Sequence, residues 1–317
     1  VVPNAVCQDI TVYLNSNGVV TVTAADIDGG STDNCTVDNI STNVFAFGCG
    51  NIGDNPAILT VTDQSGNTDT CNAIITVVDS IAPTVTCQDI TISLDANGQA
   101  SIDAADITGS VTDNCDDSRI DTNSVSQTDF DCSDVGTVSV TLIARDVNGN
   151  TDSCTASVTI VDNQAPVAGC QEVTVQLVAS GQATITAADV DGGSTDNCDL
   201  TAMISDDTFD CGDIGTNTVT LTVTDPAGNS DACTATVTVE DNAAPTISCT
   251  DITINLDQSG NASISLGDVL GSVSDNCSVN VSLSDSTFDC ADVGMNTVTI
   301  TATDGSGNTS VCTANVT

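Results

Sequence analysis

The chain has 317 residues, and its 44 acidic side chains face two arginines, no lysine and no histidine, for a net charge of −42. That balance makes nucleic acid and anionic membrane surfaces poor partners, and the missing His and Lys remove Ser–His, Cys–His and phosphate-cradling catalytic sets. No apolar run approaches a membrane span, so direct membrane insertion is not expected. Five Phe and one Tyr offer few platforms for a carboxylate-dyad glycosidase, so the chain is read as no enzyme.

Sixteen cysteines set the organisation. They fall at 7, 35, 49 and 71, then 87, 115, 132 and 154, then 170, 198, 211 and 233, then 249, 277, 290 and 312. The first-to-second step is 28 in every copy, third-to-fourth is 22, and fourth to the next first is 16; only second-to-third varies, at 14, 17, 13 and 13. The sequence therefore predicts four Ig-like modules, 1–79, 80–162, 163–241 and 242–317, in an extended rod. The chain opens at Val1-Val2-Pro3, which matches the middle of a junction, and stops at Thr317 in a last strand, so it reads as a fragment of a longer array.

Within a module the expectation is all β. In the third copy Val173–Leu177 alternates and ends at a turn around Ser180-Gly181, and Ala183–Thr186 alternates again. Ala187-Ala188-Asp189 leads through a Gly-Gly loop to Thr195-Asp196-Asn197-Cys198. A short strand near Thr201–Ser205 and a bend over Phe209–Gly215 follow. Thr218–Thr224 is the clearest strand, joined by Pro226-Ala227-Gly228-Asn229 to Ala235–Val239. Period-two alternation of β-branched residues, broken every 8–12 residues by turn formers, predicts an Ig-like β-sandwich.

The junctions are as regular as the cysteines. From Asp63, Asp146 and Asp225 the steps are eight to Cys, eight to Asp, four to Pro and four to Cys in each copy. Tethers usually vary in length, so the placement of neighbouring modules is expected to be specified. With no His and no Cys-x-x-Cys pair, the cysteines read as disulfides in an oxidising, extracellular setting. Four cysteines allow three pairings per module. The favoured set joins first with fourth (Cys7–Cys71, Cys87–Cys154, Cys170–Cys233, Cys249–Cys312), because these open the first and last strands. It leaves second with third (Cys35–Cys49, Cys115–Cys132, Cys198–Cys211, Cys277–Cys290).

Pro-x-x-x-Cys, Thr-Asp-Asn-Cys, Val-Gly-x-x-x-Val-Thr and Thr-Asp-x-x-Gly-Asn-x-x-x-x-Cys, in that order, resemble the hyalin-repeat (HYR) class of Ig-like modules. The resemblance runs through Asp33-Asn34-Cys35, Asp113-Asn114-Cys115, Asp196-Asn197-Cys198 and Asp275-Asn276-Cys277. It is narrower with the four-cysteine version found in tandem in large surface adhesins of Bacteroidota, including gliding-motility adhesins secreted by the type IX system. It implies an extracellular, cell-surface stalk or filament that spaces a distal adhesive region. Its partners would be neighbouring modules of the same chain and other surface or outer-membrane secretion and motility proteins. The alternative is a calcium-dependent adhesin whose own modules bind glycan or protein, to which the longer loop Asp116-Asp117-Ser118-Arg119 points. The first module departs from the pattern, with Phe47-Gly48-Cys49 where the others have Phe-Asp-Cys.

Calcium is the expected cofactor. In an Ig-like sandwich the linker Asp lies near the Asp-Asn-Cys loop and the Asp-x-x-Gly-Asn turn of the module that follows. This gathers Asp79, Asp106, Asp113 and Asp146; Asp162, Asp189, Asp196 and Asp225; and Asp241, Asp268, Asp275 and Asp304. Oxygen ligands in that number suit Ca²⁺, and Asp-Asn-x-Ala-Pro is similar to the calcium-binding linker of cadherins. The competing reading makes these residues turn formers that bond their own backbone. Ser80, in Asp79-Ser80-Ile81, and more loosely Ser286, resemble the Bacteroidota O-glycosylation motif.

Overall fold

The computed structural model describes residues 1–115 and 120–317, the side chain of residue 123 aside. The loop Asp116-Asp117-Ser118-Arg119 lies outside the described residues. The chain divides into two compact units, Val1–Asn163 and Gln164–Thr317.

In the first unit, a four-stranded sheet runs Ile10–Tyr13, Thr68–Val78, Gly53–Asp63, Val37–Thr42. Its Ile10–Tyr13 edge pairs parallel, and the other pairs are antiparallel. Facing it are a short pair, Val19–Thr21 with Ala46–Gly48, and the bridge Cys7↔Asp28. The pattern recurs with Ile90–Ser93, Thr151–Val161, Gly136–Arg145 and Asp121–Val125. Here the second layer is Thr84–Cys87 with Thr108–Thr112 and Gln99–Ser101 with Asp129–Asp131. The second unit repeats it again, with a sheet Val173–Gln176, Ser230–Glu240, Gly215–Thr224, Thr201–Ile204. Its last copy keeps three strands in the sheet, Val279–Leu283, Asn296–Asp304 and Thr309–Val316, with Ile252 bridging to Val316 in parallel. These are Ig-like sandwiches, nearly all β. Among the described residues helix is confined to single turns such as Ala104–Ile107, Ala187–Val190 and Leu266–Val269.

Alternation puts one face of each long strand inside. Ala57, Leu59 and Val61 on one strand and Ala73, Ile75 and Val77 on the next are fully buried, and Leu14, Val22, Ile27 and Phe47 cover them. Each Val, Leu, Ile or Phe among them contributes about 1.5–3 kcal/mol of burial. The hairpin joining these strands turns at Asp63-Gln64-Ser65-Gly66-Asn67. Asp63 Oδ1 accepts the Ser65 and Asn67 N–H groups, each at 2.8 Å, and Oδ2 accepts Asn67 Nδ2 at 2.7 Å. Gly66 takes the positive φ that closes it.

Four disulfides cross between layers: Cys7–Cys71, Cys87–Cys154, Cys170–Cys233 and Cys249–Cys312. Each contributes about 2–4 kcal/mol to a core this small. The second-with-third pairing is corrected. Cys49 bonds Cys115 of the following repeat, not Cys35, and Cys211 bonds Cys277, not Cys198. Cys115–Cys132 and Cys277–Cys290 are thereby excluded too. Cys35 and Cys290 are free and exposed, while Cys132 and Cys198 are disulfide-bonded. The reason is position. Cys49 sits beside Gly18, in the turn after Ile10–Tyr13, where Tyr13 pairs with Val78 at the far end of the sheet. Cys35 follows the loop at the near end, where Val37 pairs with Asp63. The two lie at opposite ends of one sandwich, and Cys49 meets the loop of the following repeat.

Candidate metal centre at the repeat junction

In the second unit the last long strand of one repeat, Ser230–Glu240, ends at Asp241. Asp241 is 4 % exposed. Its Oδ1 accepts Ala243 N–H at 3.1 Å and Asn276 Nδ2 at 3.0 Å, and its backbone carbonyl accepts Asn308 Nδ2 at 2.9 Å. These amides come from the Asp275-Asn276-Cys277 loop and the Asp304–Asn308 turn of the next repeat. Asp304 is also buried. Its Oδ1 accepts the Ser306 and Asn308 N–H groups at 2.9 and 2.8 Å, and Oδ2 accepts Asn308 Nδ2 at 2.7 Å. Burial pushes its carboxyl up, but the Asn308, Gly307 and Ser306 donors outweigh that and hold it below the usual carboxylate range.

Asp241, Asp275 and Asp304 each place one carboxylate oxygen within 4.8 Å of the others. Asp241 Oδ2, Asp275 Oδ1 and Asn276 Oδ1 are buried without a hydrogen-bond partner. Residues 164–317 contain no Lys, Arg or His, so no side-chain cation in this unit can balance the cluster. Charge pairs at this separation interact by a few kcal/mol at an effective dielectric near 20, roughly. Buried acceptors without donors add a further desolvation cost of about 1–3 kcal/mol each. A hard cation answers both, and the donor set of carboxylates with an amide carbonyl fits Ca²⁺.

The first unit builds the same arrangement from Asp79, Asp113 and Asp146. Asn114 Nδ2 and Asn148 Nδ2 donate to Asp79 Oδ1 and Oδ2, each at 3.2 Å. Asn150 Nδ2 donates to Asp79 O at 3.3 Å and Asp146 Oδ2 at 2.7 Å. Burial pushes the Asp113 carboxyl up; the Cys115 N–H opposes this, and the charges of Asp79 and Asp146 raise it further. The remaining set divides between units. Asp162 is buried in the first. In the second, Asp196 Oδ2 accepts Cys198 N–H at 3.1 Å and Asp225 Oδ1 accepts Asn229 N–H at 2.8 Å.

One residue of each predicted set is elsewhere. Asp106, Asp189 and Asp268 cap their own helical turns: Asp268 Oδ2 accepts Ser265 N–H and Oγ, each at 2.7 Å, Asp189 does the same with Thr186, and Asp106 takes Asp103 N–H at 2.7 Å. A carboxylate so engaged is spent locally. Sequence reasoning missed the amides Asn114, Asn148, Asn150, Asn276 and Asn308. They stood within the same Asp-Asn-Cys and Asp-x-x-Gly-Asn motifs. Ser80 and Ser286 are both exposed.

The joint is closed by sulfur as well. Cys115 N–H donates to Asp113 Oδ2 at 3.1 Å, and Cys115 is bonded to Cys49. The Asn114 carbonyl lies against Gly18, where an added Cβ would fall on it, and Asn114 Nδ2 reaches Asn15 O at 3.3 Å. Gly181 and the Asn276 carbonyl repeat this contact in the second unit. Cys115 and Cys277 pack against the core of the preceding repeat.

Residues 161–239 match the HYR domain. Over 183 residues the chain is 33% identical to "Hyalin" of Strongylocentrotus purpuratus, covering 53% of this chain and 15% of that protein. Solved structures that match the chain include protocadherin gamma B7 extracellular cadherin domains 1–4 (15% identity, 89% of this chain and 90% of that one, TM-score 0.28). Drosophila N-cadherin EC1–4 matches at 15% identity over 98% of each chain, TM-score 0.28. Titin domains I67–I69, in an E-to-A variant, match at 10% identity over 75% of this chain and 99% of that one, TM-score 0.34. The chain carries HYR-like repeats.

Proposed function

We propose that the chain is a spacer segment of an extracellular adhesion-type repeat protein, whose work is to hold successive Ig-like modules at fixed pitch. The observation that carries this reading is the disulfide Cys211–Cys277, which crosses a repeat boundary beside Asp241, Asp275 and Asp304. A covalent bond between modules resists the hinge motion that an ordinary linker permits. Calcium held by these three carboxylates, with Asn276 Oδ1, would neutralise the junction and stiffen it further; Asp79, Asp113 and Asp146 are its counterparts in the first unit. The disulfides support an oxidising location. At its finest the reading assigns the chain to a cell-surface adhesin of the gliding-motility, type IX-secreted kind. Calcium titration of the purified chain by calorimetry, with magnesium as competitor, tests the core of it. Saturable binding of calcium with magnesium a weak competitor is expected. No heat, with thermal unfolding identical in calcium and in chelator, would sink the calcium part and leave a spacer joined by sulfur alone.

A further inference from the structure

The junctions at Asp79 and Asp241, each lying within one unit, are built alike except at one atom. Both aspartates are 4 % exposed. In each, Oδ1 accepts the backbone N–H two residues on, from Ile81 at 3.2 Å or Ala243 at 3.1 Å. It also accepts an Asn side chain, from Asn114 Nδ2 at 3.2 Å or Asn276 Nδ2 at 3.0 Å. In each, the backbone carbonyl accepts the amide that ends the turn, Asn150 or Asn308. They part at Oδ2. Asp241 Oδ2 is buried with no donor among the described residues, whereas Asp79 Oδ2 accepts Asn148 Nδ2 at 3.2 Å.

One side chain makes the difference. Asn148 and Ser306 hold the same place in their turns, each donating its backbone N–H to Oδ1 of the turn's aspartate, Asp146 or Asp304, at 2.9 Å. Ser65 and Ala227 stand there in the other two repeats, so the amide belongs to one repeat alone. The same turn also carries a positive charge. The Arg145 guanidinium lies over Gly149, 3.3 Å from where a Cβ would stand, and Thr62, Thr224 and Thr303 take its place in the other repeats. A cation that reaches Asp79 Oδ2 must displace an N–H donor from a carboxylate, a charge-assisted bond, and must do so beside a guanidinium. Asp241 Oδ2 presents its lone pairs without that competition.

We propose that Asn148 sets the cation affinity of its junction, as a donor supplied by the protein where the other junction leaves an oxygen for the metal. The Asp79 junction then fills with Ca²⁺ at a concentration about tenfold above that of the Asp241 junction, a difference of about 1.4 kcal/mol. This rests on calcium being the ion of these junctions. Asn148 is exposed, so its displaced amide turns to water and recovers part of the bond, which keeps the penalty small. When calcium is scarce, the Asp79 junction is held by Asn148 and by the Cys49–Cys115 bond. As calcium rises, the Asp241 junction fills first and the Asp79 junction second, so the chain responds in steps.

The test is a calcium titration of the full chain followed by NMR, with the side-chain amides of Asn114 and Asn276 reporting on their own junctions. Asn276 should reach its midpoint at about a tenth of the calcium that Asn114 needs, and the Asn148 amide should shift together with Asn114. Asn148→Ser, which gives this turn the residue found at Ser306, should lower the Asn114 midpoint by most of that gap. Ser306→Asn should raise the Asn276 midpoint in turn. Asn148→Ser combined with Arg145→Thr should bring the two midpoints together. Equal midpoints in the native chain would overturn the proposal. So would a higher Asn114 midpoint in Asn148→Ser, which would make Asn148 a ligand through its Oδ1. Asn114 and Asn276 amides that both ignore calcium would instead sink the calcium reading beneath it.

Discussion

Cys211 and Cys277 are bonded across a repeat boundary although 66 residues separate them, and Cys277 donates its N–H to Asp275 Oδ2 at 3.2 Å. Cross-link and carboxylate therefore ride on one three-residue loop. The sulfur bond fixes where Asp275 stands relative to Asp241, which belongs to the preceding strand's exit. A cation binding there meets oxygens whose positions are already restricted, so little ordering entropy remains to be lost.

The pairing itself is the first thing to check. Digestion at acid pH, which suppresses thiol exchange, followed by mass spectrometry should recover Cys49 joined to Cys115 and Cys211 to Cys277. Trypsin is of little use with two arginines in the chain, so pepsin or an aspartate-directed protease is required. Peptides joined Cys35–Cys49 or Cys198–Cys211 would refute the inter-repeat arrangement.

Asp241→Asn should separate the metal site from its scaffold. The amide keeps the shape but removes one of three clustered charges, so the calcium-free chain should hold or gain stability. In calcium the variant should lose most of the stabilisation at that junction, which for the native chain is about 2.7 kcal/mol at a hundredfold excess over Kd. Asp268→Asn serves as the control, since Asp268 is bound to Ser265 and its loss should leave calcium affinity unchanged. Equal calcium responses in the native chain and Asp241→Asn, measured by thermal unfolding, would remove Asp241 from the site.

The β-class, the repeat length and the Cys7–Cys71 type of bond are legible in the sequence because they rest on local alternation and strand position. The inter-repeat bond was also written there. Cys49 to Cys115 and Cys211 to Cys277 are both 66 apart, whereas the second-to-third step within a repeat varies. Counting within a repeat hid this, because pairing with a neighbour gives the same four cysteines per module. Asp106, Asp189 and Asp268 joined the wrong group for a related reason. Their constant spacing reflects a helical turn capped three residues back, at Asp103, Thr186 and Ser265, and fixed spacing alone does not say which partner fixes it.

Gly18 and Gly66 both have positive φ, +69° and +83°, but only Gly18 is covered. Substituting alanine at Gly66 should cost the backbone term alone, about 1–2 kcal/mol. Gly18→Ala should cost that and more, because its Cβ would collide with the Asn114 carbonyl and Cys49 Sγ. Overpacking of this kind adds about 1–3 kcal/mol. It should also speed reduction of Cys49–Cys115 by thiols while leaving Cys7–Cys71 unaffected. Equal losses for the two variants in denaturant unfolding would mean the glycine is kept for its dihedral and not for the joint.

Acid should weaken the helical turns in a direction set by their caps. The Ser265 hydroxyl and N–H hold the Asp268 carboxyl below the usual carboxylate range, and Thr186 does the same for Asp189. A carboxyl depressed in the folded chain binds its proton less readily there than in the unfolded one, so folding gains from it above the unfolded value, near pH 4. That gain is lost as pH falls through the lower folded value. Carbon-detected NMR titration should find both carboxyls still ionised below the ordinary carboxylate range, and Ser265→Ala should return Asp268 towards that range without moving Asp189. Titration of Asp268 in the ordinary range in the native chain would show that its bond to Ser265 does not persist in solution.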